Sequence, residues 1–393
     1  MIDRFMQIAL DARNIDRPNG TGVASYARAL ADAAERGGAQ VAWLREDASP
    51  QAMASRHTAS AKAVRFASAL LGRSSVAVRT GARNDMLSDD IFRIAHVHFK
   101  IFGKLLPVRT DNPPDVMHWT CPLPVRMEGC KNIVTIHDLI PVLRPDLCDV
   151  SPHHMRRMLR SVMSNAGEII VISDSVRQDI LTTFPIGPER IHTLHQGVGI
   201  STELRKAAEK AGDVCPAGSF IYVGSIEKRK NVGRLIEAHG RSQTTRMLVL
   251  IGPDGYQAQE EMSAIGRHPH PDRVMRLPWI ERPQLIRAIS TARALAFPSL
   301  AEGFGLPIVE SMLVGTPVLT TQGGATGEIA GDAAWFVNPE SVDSIAYGLE
   351  RLSADDALCE RLTSAGYARA VVFDPAHYER RVADLYAQIM SNG

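Results

Sequence analysis

Two carboxylates flank a glycine-rich turn in the last third of the chain. Glu302 and Glu310 are separated by seven residues, and Gly303-Phe304-Gly305-Leu306-Pro307 lies between them. A helix is predicted to begin at Leu306-Pro307, because the missing N–H of a proline is harmless in a first helical turn. The free N–H groups of the turn and the helix dipole favour anions or sugar hydroxyls. The stretch therefore predicts a sugar-nucleotide site, with two carboxylates that merely stabilise a helix end as the alternative.

Three consecutive cations form a second candidate. Lys228, Arg229 and Lys230 fall between a predicted strand at residues 219–223 and a predicted helix at residues 231–239. Positive charges beside a helix N-terminus are unfavourable unless an anion joins them. A diphosphate would supply that anion, whereas the plainer interpretation is a solvated basic loop.

The first half of the chain contains two more segments with ligand-binding chemistry. Gly20-Thr21-Gly22 precedes a helix predicted over residues 23–36, so its backbone N–H groups can approach a phosphate. His137 and Asp138 follow a buried apolar run, at the sheet edge where parallel strands bind ligands. The alternatives are a simple tight turn for the glycines, a structural role for the histidine and a helix cap for Asp138.

Parallel sheets are needed to position these residues, and the apolar pattern predicts them. Short β-branched runs alternate with helical segments, which indicates sheets covered by helices on both faces. Strands are predicted at residues 6–10, 41–44, 116–119, 133–137, 167–173, 219–223, 247–251, 274–277, 294–297, 318–320 and 334–337. We therefore expect an α/β fold with two Rossmann-like domains, at residues 1–198 and 199–372.

Composition excludes several classes of protein. The chain has 393 residues, 45% apolar and 22% charged, as in ordinary globular proteins of about two domains. A net charge of +1 gives no general attraction to nucleic acid. No apolar run is long enough to span a membrane. The five cysteines are scattered and lack metal spacing, so we expect a cytoplasmic protein without a metal site.

These motifs together resemble the retaining glycosyltransferases of family 4, which have the GT-B fold. The signature reads PSLAEGFGLPIVESMLVGTPVLT here, with Ser311 where alanine is common. NGTGVASYARAL, VTIHDLIPVLRPD, VISDSVRQDI, YVGSIEKRKNVGRLIEAH and LVLIGP extend the resemblance over nearly the whole chain. Some relatives carry an arginine directly after the glycine of the fourth motif, where this chain has Ser225. In this fold the last helix commonly crosses back, which we expect of residues 373–393.

The resemblance implies roles for individual residues. It makes His137, Glu302, Arg229 and Lys230 the catalytic residues and places Thr21 and Asp138 on the acceptor side. It assigns donor binding to Gly22, Arg229, Lys230, Gly252, Trp279, Ile280, Glu302, Gly303, Phe304, Gly305, Leu306 and Glu310. Among these, Glu310 is expected on ribose and the two cations on the diphosphate. No metal ion or other cofactor is implied.

The implied activity is transfer of a hexose from a nucleotide-diphosphate sugar to a hydroxyl. The motifs look most like bacterial mannosyltransferases of surface-polysaccharide or lipopolysaccharide assembly, which suggests GDP-mannose and a lipid-linked glycan acceptor. A UDP-hexose donor is the first alternative, and a UDP-sugar 2-epimerase of similar architecture is the second. A nicotinamide oxidoreductase is disfavoured, because this chain lacks the Gly-x-Gly-x-x-Gly fingerprint of a dinucleotide site.

One basic segment suggests a location. Residues 48–84 contain no acidic residue but six basic ones, at Arg56, Lys62, Arg65, Arg73, Arg79 and Arg83. Apolar residues near helical spacing within the segment predict a helix that lies against an anionic membrane. A solvated helix packed on its own domain is the equal alternative. We therefore expect a cytoplasmic protein, peripheral on the inner face of the membrane if the segment binds lipid.

Overall fold

A computed structural model describes the chain at residues 5–16, 22–46, 63, 66, 67, 69, 70, 79, 80 and 85–391. Within these residues, two parallel sheets face each other through the carboxyl ends of their strands. Thr21 and most of the basic segment 48–84 lie outside the described residues, so the roles predicted for them stay predictions.

The first domain is built on an eight-stranded sheet. Its strands and those of a small accessory sheet are β1 (Gln7–Asp11), β2 (Gln40–Glu46), β3 (Arg79–Thr80), β4 (Met86–Ser88), β5 (Leu106–Val108), β6 (Val116–Trp119), β7 (Val125–Met127), β8 (Lys131–Ile136), β9 (Glu168–Val171) and β10 (Ile191–Thr193). The order in the large sheet is β10-β9-β8-β6-β1-β2-β4-β3, and β5 pairs with β7. All pairs are parallel except β3 with β4, as expected for a sheet built from strand-helix crossovers.

Helices cover both faces of this sheet. They are α1 (Gly22–Arg36), α2 (Ile91–Phe102), α3 (Ile140–Leu143), α4 (Pro152–Asn165) and α5 (Asp174–Thr183). Ser173 caps α5, since its hydroxyl accepts a hydrogen bond from the Val176 N–H at 3.3 Å.

The second domain has a six-stranded, wholly parallel sheet. Its strands are β11 (Phe220–Val223), β12 (Leu248–Ile251), β13 (Val274–Leu277), β14 (Ala294–Phe297), β15 (Val318–Thr321) and β16 (Trp335–Val337). They are arranged in the order β13-β12-β11-β14-β15-β16. The strand order reverses between β11 and β14, and this reversal is where open parallel sheets bind ligands. The loops that carry Arg229, Lys230 and Glu302 follow these two strands.

The helices of the second half complete the architecture. They are α6 (Thr202–Lys210), α7 (Val232–Arg241), α8 (Ala258–Met262), α9 (Arg282–Ser290), α10 (Leu306–Leu313), α11 (Gly324–Ala330), α12 (Val342–Ala354), α13 (Asp356–Ala370) and α14 (Pro375–Ser391). The boundary expected at 198/199 lies between β10 and α6, and the one expected at 372/373 lies within a short 3₁₀ turn, Val371–Phe373, between α13 and α14.

The last helix, α14, packs on the first domain. Arg36 of α1 forms an ion pair with Glu379. The Tyr386 hydroxyl lies 2.7 Å from Nδ1 of the buried His118 on β6. The residues of α14 thus join the core beneath the first sheet, although they follow the second domain in the sequence.

The central strands are buried on both faces, which explains their composition. All four residues of β11, β12 and β14 are buried, and their sequences FIYV, LVLI and ALAF are continuous apolar runs. Among the described residues, no helix is both long enough and apolar enough to cross a bilayer.

Candidate active site

Loops from the two domains meet where the carboxyl ends of the sheets face each other. Gly303 packs so tightly that a Cβ added to it would lie 1.9 Å from the His137 carbonyl oxygen. The Ser173 hydroxyl donates a hydrogen bond of 2.9 Å to the Gly303 carbonyl. At the start of α1, a Cβ on Gly22 would lie 3.6 Å from Leu306 Cδ1 at the start of α10. Residues predicted from separate motifs are therefore neighbours across the cleft.

Glu302 is the centre of a buried charge cluster. Its Oε2 lies 2.9 Å from Arg229 Nη1, and its Oε1 lies 2.5 Å from Lys230 Nζ. Arg229 also pairs with Glu227, at 2.7 Å between Nη2 and Oε1. Only 7% of the Glu302 side chain is exposed. The anion that the three consecutive cations require is therefore supplied in part by two glutamates of the same domain.

The cluster is electrostatically self-consistent. Burial raises the pKa of the Glu302 carboxyl, but the charges of Lys230 and Arg229 outweigh burial and hold that pKa below its usual range. Burial lowers the pKa of the Lys230 ammonium, and the Glu302 charge offsets only part of this effect. For Arg229, burial is outweighed by Glu302 and Glu227, so its pKa is raised. Glu302 is thus ionised and is held between two cations that can also face an anionic ligand.

The loops that carry this cluster are fixed to each other by Asn231. This residue adopts a left-handed conformation, with φ of 63°, directly after the basic triplet. Its side-chain amide donates to the carbonyl oxygens of Pro298, at 3.0 Å, and Pro339, at 2.8 Å. The Leu300 N–H donates to the Arg229 carbonyl at 2.8 Å. The loops after β11, β14 and β16 are therefore held in one relative position.

The glycine-rich turn leads into α10, which begins at Leu306 as predicted. Gly305 has a φ of 111°, a conformation that favours glycine. Phe304 is 3% exposed, and its ring packs edge-on against Phe373 at 5.7 Å between centroids. The phenyl ring is therefore a packing element, whereas backbone N–H groups remain the binding chemistry of this turn.

Glu310 lies in the second turn of α10 and has a partner that the sequence did not indicate. Its Oε1 accepts a hydrogen bond of 2.6 Å from Arg282 Nη2, at the start of α9. Glu310 is 8% exposed, and the Arg282 side chain is 40% exposed. The arginine holds the carboxylate in one orientation.

The remaining donor-side predictions, Gly252, Trp279 and Ile280, follow β12 and β13. Gly252 has a φ of 145°, and a Cβ there would lie 2.1 Å from the Gly224 carbonyl oxygen. Only glycine therefore allows the loops after β11 and β12 to approach this closely. Trp279 is 47% exposed. Its ring is therefore accessible to a ligand, and the contacts of the described residues around it do not identify one.

His137 is half-buried and has a defined tautomer. Its Nε2 lies 2.7 Å from the Thr120 carbonyl oxygen, so this nitrogen carries the proton and Nδ1 is an acceptor. Burial lowers the pKa of the imidazole more than Thr120 and Asp138 raise it. The ring meets Tyr26 edge-on at 4.9 Å. His137 is therefore a neutral group at the cleft, suited to hydrogen bonding.

Two carboxylates lie near His137. Asp11 Oδ1 accepts the Thr120 N–H, and burial raises the pKa of Asp11 to about 6. Asp138 Oδ1 accepts the Ile140 N–H at 3.0 Å in the turn before α3, whereas the N-cap residue of that helix is Leu139, which makes no side-chain cap. Asp11 was not among the predicted residues, because a single acid at the end of a strand has no motif around it.

Glu328 of α11 joins the domains by a set of contacts that we call the clasp. Its two oxygens accept the N–H groups of Asp174, at 2.8 Å, and Ser175, at 2.7 Å, in the first turn of α5. His195 Nε2 lies 2.6 Å from Oε1. Asp174, His195 and Glu328 are also close enough to form a metal-ligand group. Their contacts with one another and with the backbone already account for this arrangement.

Comparison with known families identifies both halves of the chain. The family described as Glycosyltransferase Family 4 matches residues 20–201, and the family described as Glycosyl transferases group 1 matches residues 216–369. O-antigen chain mannosyltransferase B of Escherichia coli is 28% identical over 261 residues, which are 64% of this chain and 68% of the relative. MMP alpha-(1->4)-mannosyltransferase of Mycolicibacterium hassiacum is 29% identical over 223 residues, 54% of this chain. That alignment spans 52% of the relative, about half its length.

Solved structures share the architecture. Sucrose-phosphate synthase of Thermosynechococcus elongatus has a TM-score of 0.74 at 17% identity, with 99% of this chain and 100% of the other covered. WaaG, a glycosyltransferase involved in lipopolysaccharide biosynthesis, has a TM-score of 0.64 at 16% identity, with 96% and 99% covered. At these identities the likeness establishes the fold, and the predicted GT-B class is confirmed. With one family description matching each domain, the chain belongs to the family 4 glycosyltransferases of the GT-B fold.

Proposed function

We propose that this glycosyltransferase moves mannose from GDP-mannose to a hydroxyl of a lipid-linked glycan, with retention of the anomeric configuration. Mannosyl transfer is favoured by relatives named as mannosyltransferases, among them an O-antigen chain enzyme. A UDP-hexose is the alternative donor, because the structural neighbours include the Anabaena protein HepE in complex with UDP and glucose.

The observation that carries the proposal is the cluster of Glu302, Arg229 and Lys230 at the point where the strand order of the second sheet reverses. It combines a carboxylate for sugar hydroxyls with two cations for a diphosphate. The N-terminus of α10 adds backbone donors beside it. On the opposite wall His137 offers an acceptor nitrogen.

The proposed reaction breaks the bond between the sugar C1 and the diphosphate oxygen and forms a bond between C1 and the acceptor oxygen. The acceptor proton passes to an oxygen of the departing diphosphate. Arg229, Lys230 and the turn before α10 stabilise the negative charge that develops there. Glu310, held by Arg282, binds the ribose hydroxyls. Because these groups neutralise the diphosphate, we expect no metal requirement, and activity that survives EDTA would agree with that expectation.

Closure of the two domains would also serve this chemistry. Water competes with the acceptor for the sugar, and a closed cleft excludes it. The packing of Gly303 on His137 is the kind of contact that exclusion requires.

A donor-hydrolysis screen over GDP- and UDP-sugars tests the proposal. We expect release of GDP from GDP-mannose and little turnover of other donors. Release of UDP from a UDP-hexose would instead support the alternative donor, and conversion of a UDP-sugar to its 2-epimer would indicate the epimerase. No turnover of any nucleotide sugar would refute the proposed function.

Two variants assign roles within the same assay. Glu310→Ala should mainly raise the KM for the donor, and His137→Ala should mainly lower kcat. Glu360→Ala, an exposed change on α13, is the control and should leave both constants unchanged. A donor KM for Glu310→Ala that equals the KM of the Glu360→Ala control would contradict the ribose role.

A further inference from the structure

A cavity of about 340 Å³ opens between the domains beside Glu302. Its volume is at the low end of the range for small-molecule sites, roughly 300–1,000 Å³. Of the predicted donor-side residues, Glu302 alone is part of its lining. The cavity therefore adjoins the proposed donor site at Glu302 and does not include the ribose position at Glu310.

The first domain forms one wall of the cavity. Asp138, Leu143 and Arg144 come from the segment that follows β8, and Ser175 and Asp179 come from α5. The second domain forms the other wall with the loops after β14 and β15. A ligand in this space would touch both domains next to the proposed reaction centre.

On this wall, the Asp179 carboxylate has no hydrogen-bond donor or cation among the described residues. It is half-buried. Burial and the neighbouring charge of Asp138 both raise its pKa. A partly buried carboxylate without a partner is unfavourable, unless a ligand supplies hydrogen-bond donors.

The charges of the other residues that line the cavity indicate whether a hydrogen-bonding ligand there is charged or neutral. Arg144 already pairs with Asp146, at 3.3 Å between Nε and Oδ1. Glu302 already has two cations. Of the charged groups in the lining, the Asp179 carboxylate is thus the one without a cation among the described residues, which disfavours an anionic ligand there and favours hydroxyls.

Shape agrees with a sugar ring. Leu143 is 41% exposed and offers an apolar surface to the C–H face of a ring. Across the cavity, a Cβ added to Gly323 would meet no atom within 4 Å, so the opposite loop leaves space.

We propose that this cavity binds the sugar of the acceptor as an uncharged pyranose, whose hydroxyls donate hydrogen bonds to Asp138 and Asp179. The inference rests on the glycosyl transfer proposed above. It adds a substrate class to that function: an acceptor that ends in a neutral hexose rather than in a uronic acid or a sugar phosphate.

Binding of octyl glycosides tests the inference without a donor. The probes are octyl mannoside, octyl glucoside and octyl glucuronide, titrated into wild type, Asp179→Asn and the control Gln178→Ala by calorimetry. Gln178 is the exposed neighbour of Asp179 on α5 and does not line the cavity. Wild type and control should bind a neutral glycoside alike, and Asp179→Asn should bind it about tenfold more weakly. The glucuronide should bind wild type more weakly than the glucoside.

Several outcomes would overturn the inference. They are no binding of either neutral glycoside, equal binding by the Asp179→Asn variant, or a glucuronide that binds wild type as tightly as the glucoside. Binding that requires added Mg²⁺ would also overturn it, since the carboxylates would then hold a cation. Because no donor is used, failure here is distinct from failure of the donor screen. Transfer with an acceptor KM that is unchanged in Asp179→Asn would refute the acceptor site alone.

Discussion

Glu328 should control how firmly the two domains close. The clasp brings one carboxylate of α11 onto the first turn of α5 and onto His195, through three hydrogen bonds of 2.6–2.8 Å. The two N–H groups belong to a helix N-terminus, where a negative charge is stabilising. Glu328→Ala removes all three contacts and leaves the surrounding backbone in place.

The size of the effect follows from the number and type of contacts. Hydrogen bonds to a charged group contribute about 1.5–3 kcal/mol each, but the freed N–H groups of an opened α5 would be hydrated. We therefore take about 3 kcal/mol for the whole clasp, rather than the sum of three full bonds. At 1.36 kcal/mol for each factor of ten, closure should become about 100-fold less favourable.

Two measurements check this estimate. Small-angle X-ray scattering should show a larger radius of gyration for Glu328→Ala than for wild type. Its kcat/KM for donor hydrolysis should fall by a factor approaching the loss of closure. Glu360→Ala again serves as the control, because that side chain is exposed and lies outside the cleft. An unchanged radius together with kcat/KM within about twofold of wild type would refute the reasoning.

The clasp should also resist mild acid. Burial raises the pKa of Glu328, but the hydrogen bonds from His195 and the α5 backbone lower it by more than burial raises it. The pKa therefore lies below its usual range. A carboxyl whose pKa is lowered by folding contributes its full stabilisation at pH values above its pKa in the unfolded chain, which is about 4.3. That contribution is lost only as the pH falls through the lower, folded pKa. The radius of gyration of wild type should therefore be constant from neutral pH down to about 5.

Three further outcomes are expected. Lys230→Met should lower the free energy of unfolding by about 3 kcal/mol, because the buried Glu302 loses one of its two cations. The same variant should lose turnover, and normal activity would refute the diphosphate role. Arg282→Ala should raise the donor KM severalfold with little change in kcat, because Glu310 loses its orienting partner; an unchanged KM would contradict this. Burial lowers the pKa of His239 to about 4, so the unfolded chain binds its proton at a higher pH than the folded protein does. The free energy of unfolding should therefore fall by about 3 kcal/mol as the pH is lowered from 6.5 to 4, and this fall should be smaller in His239→Gln.

The predicted strands of the second domain agree closely with the structure, because buried parallel strands leave a strong pattern. The run Ala294–Phe297 was predicted from its apolar residues and forms β14. The first domain was harder to predict. The strand Met86–Ser88 and the helix Ile91–Phe102 were missed, since the strand has three residues and no turn signal separates it from the helix.

The residues of the candidate site likewise divide into those that sequence motifs predicted and those that only the structure identified. Glu302, Arg229 and His137 were predicted from motifs at the ends of strands, where sheet geometry brings loops together. Arg282 and Glu328 were not singled out, because each acts through a partner far away in the sequence. A lone arginine beside a helix start and a lone glutamate within a helix have no local pattern. Only the three-dimensional structure shows that they orient Glu310 and join the domains.

The position of α14 has a consequence for how the chain folds during synthesis. His118 and Lys131 contact Tyr386 and Ile389, so these early strands are completed by a helix that is synthesised more than 250 residues later. Contacts this distant in sequence form slowly, because a long loop must close first. On the ribosome, the second domain can fold while one face of the first sheet still lacks its cover. The nascent first domain would therefore expose an apolar surface until α14 has emerged, and chaperones would have the most to bind before that point.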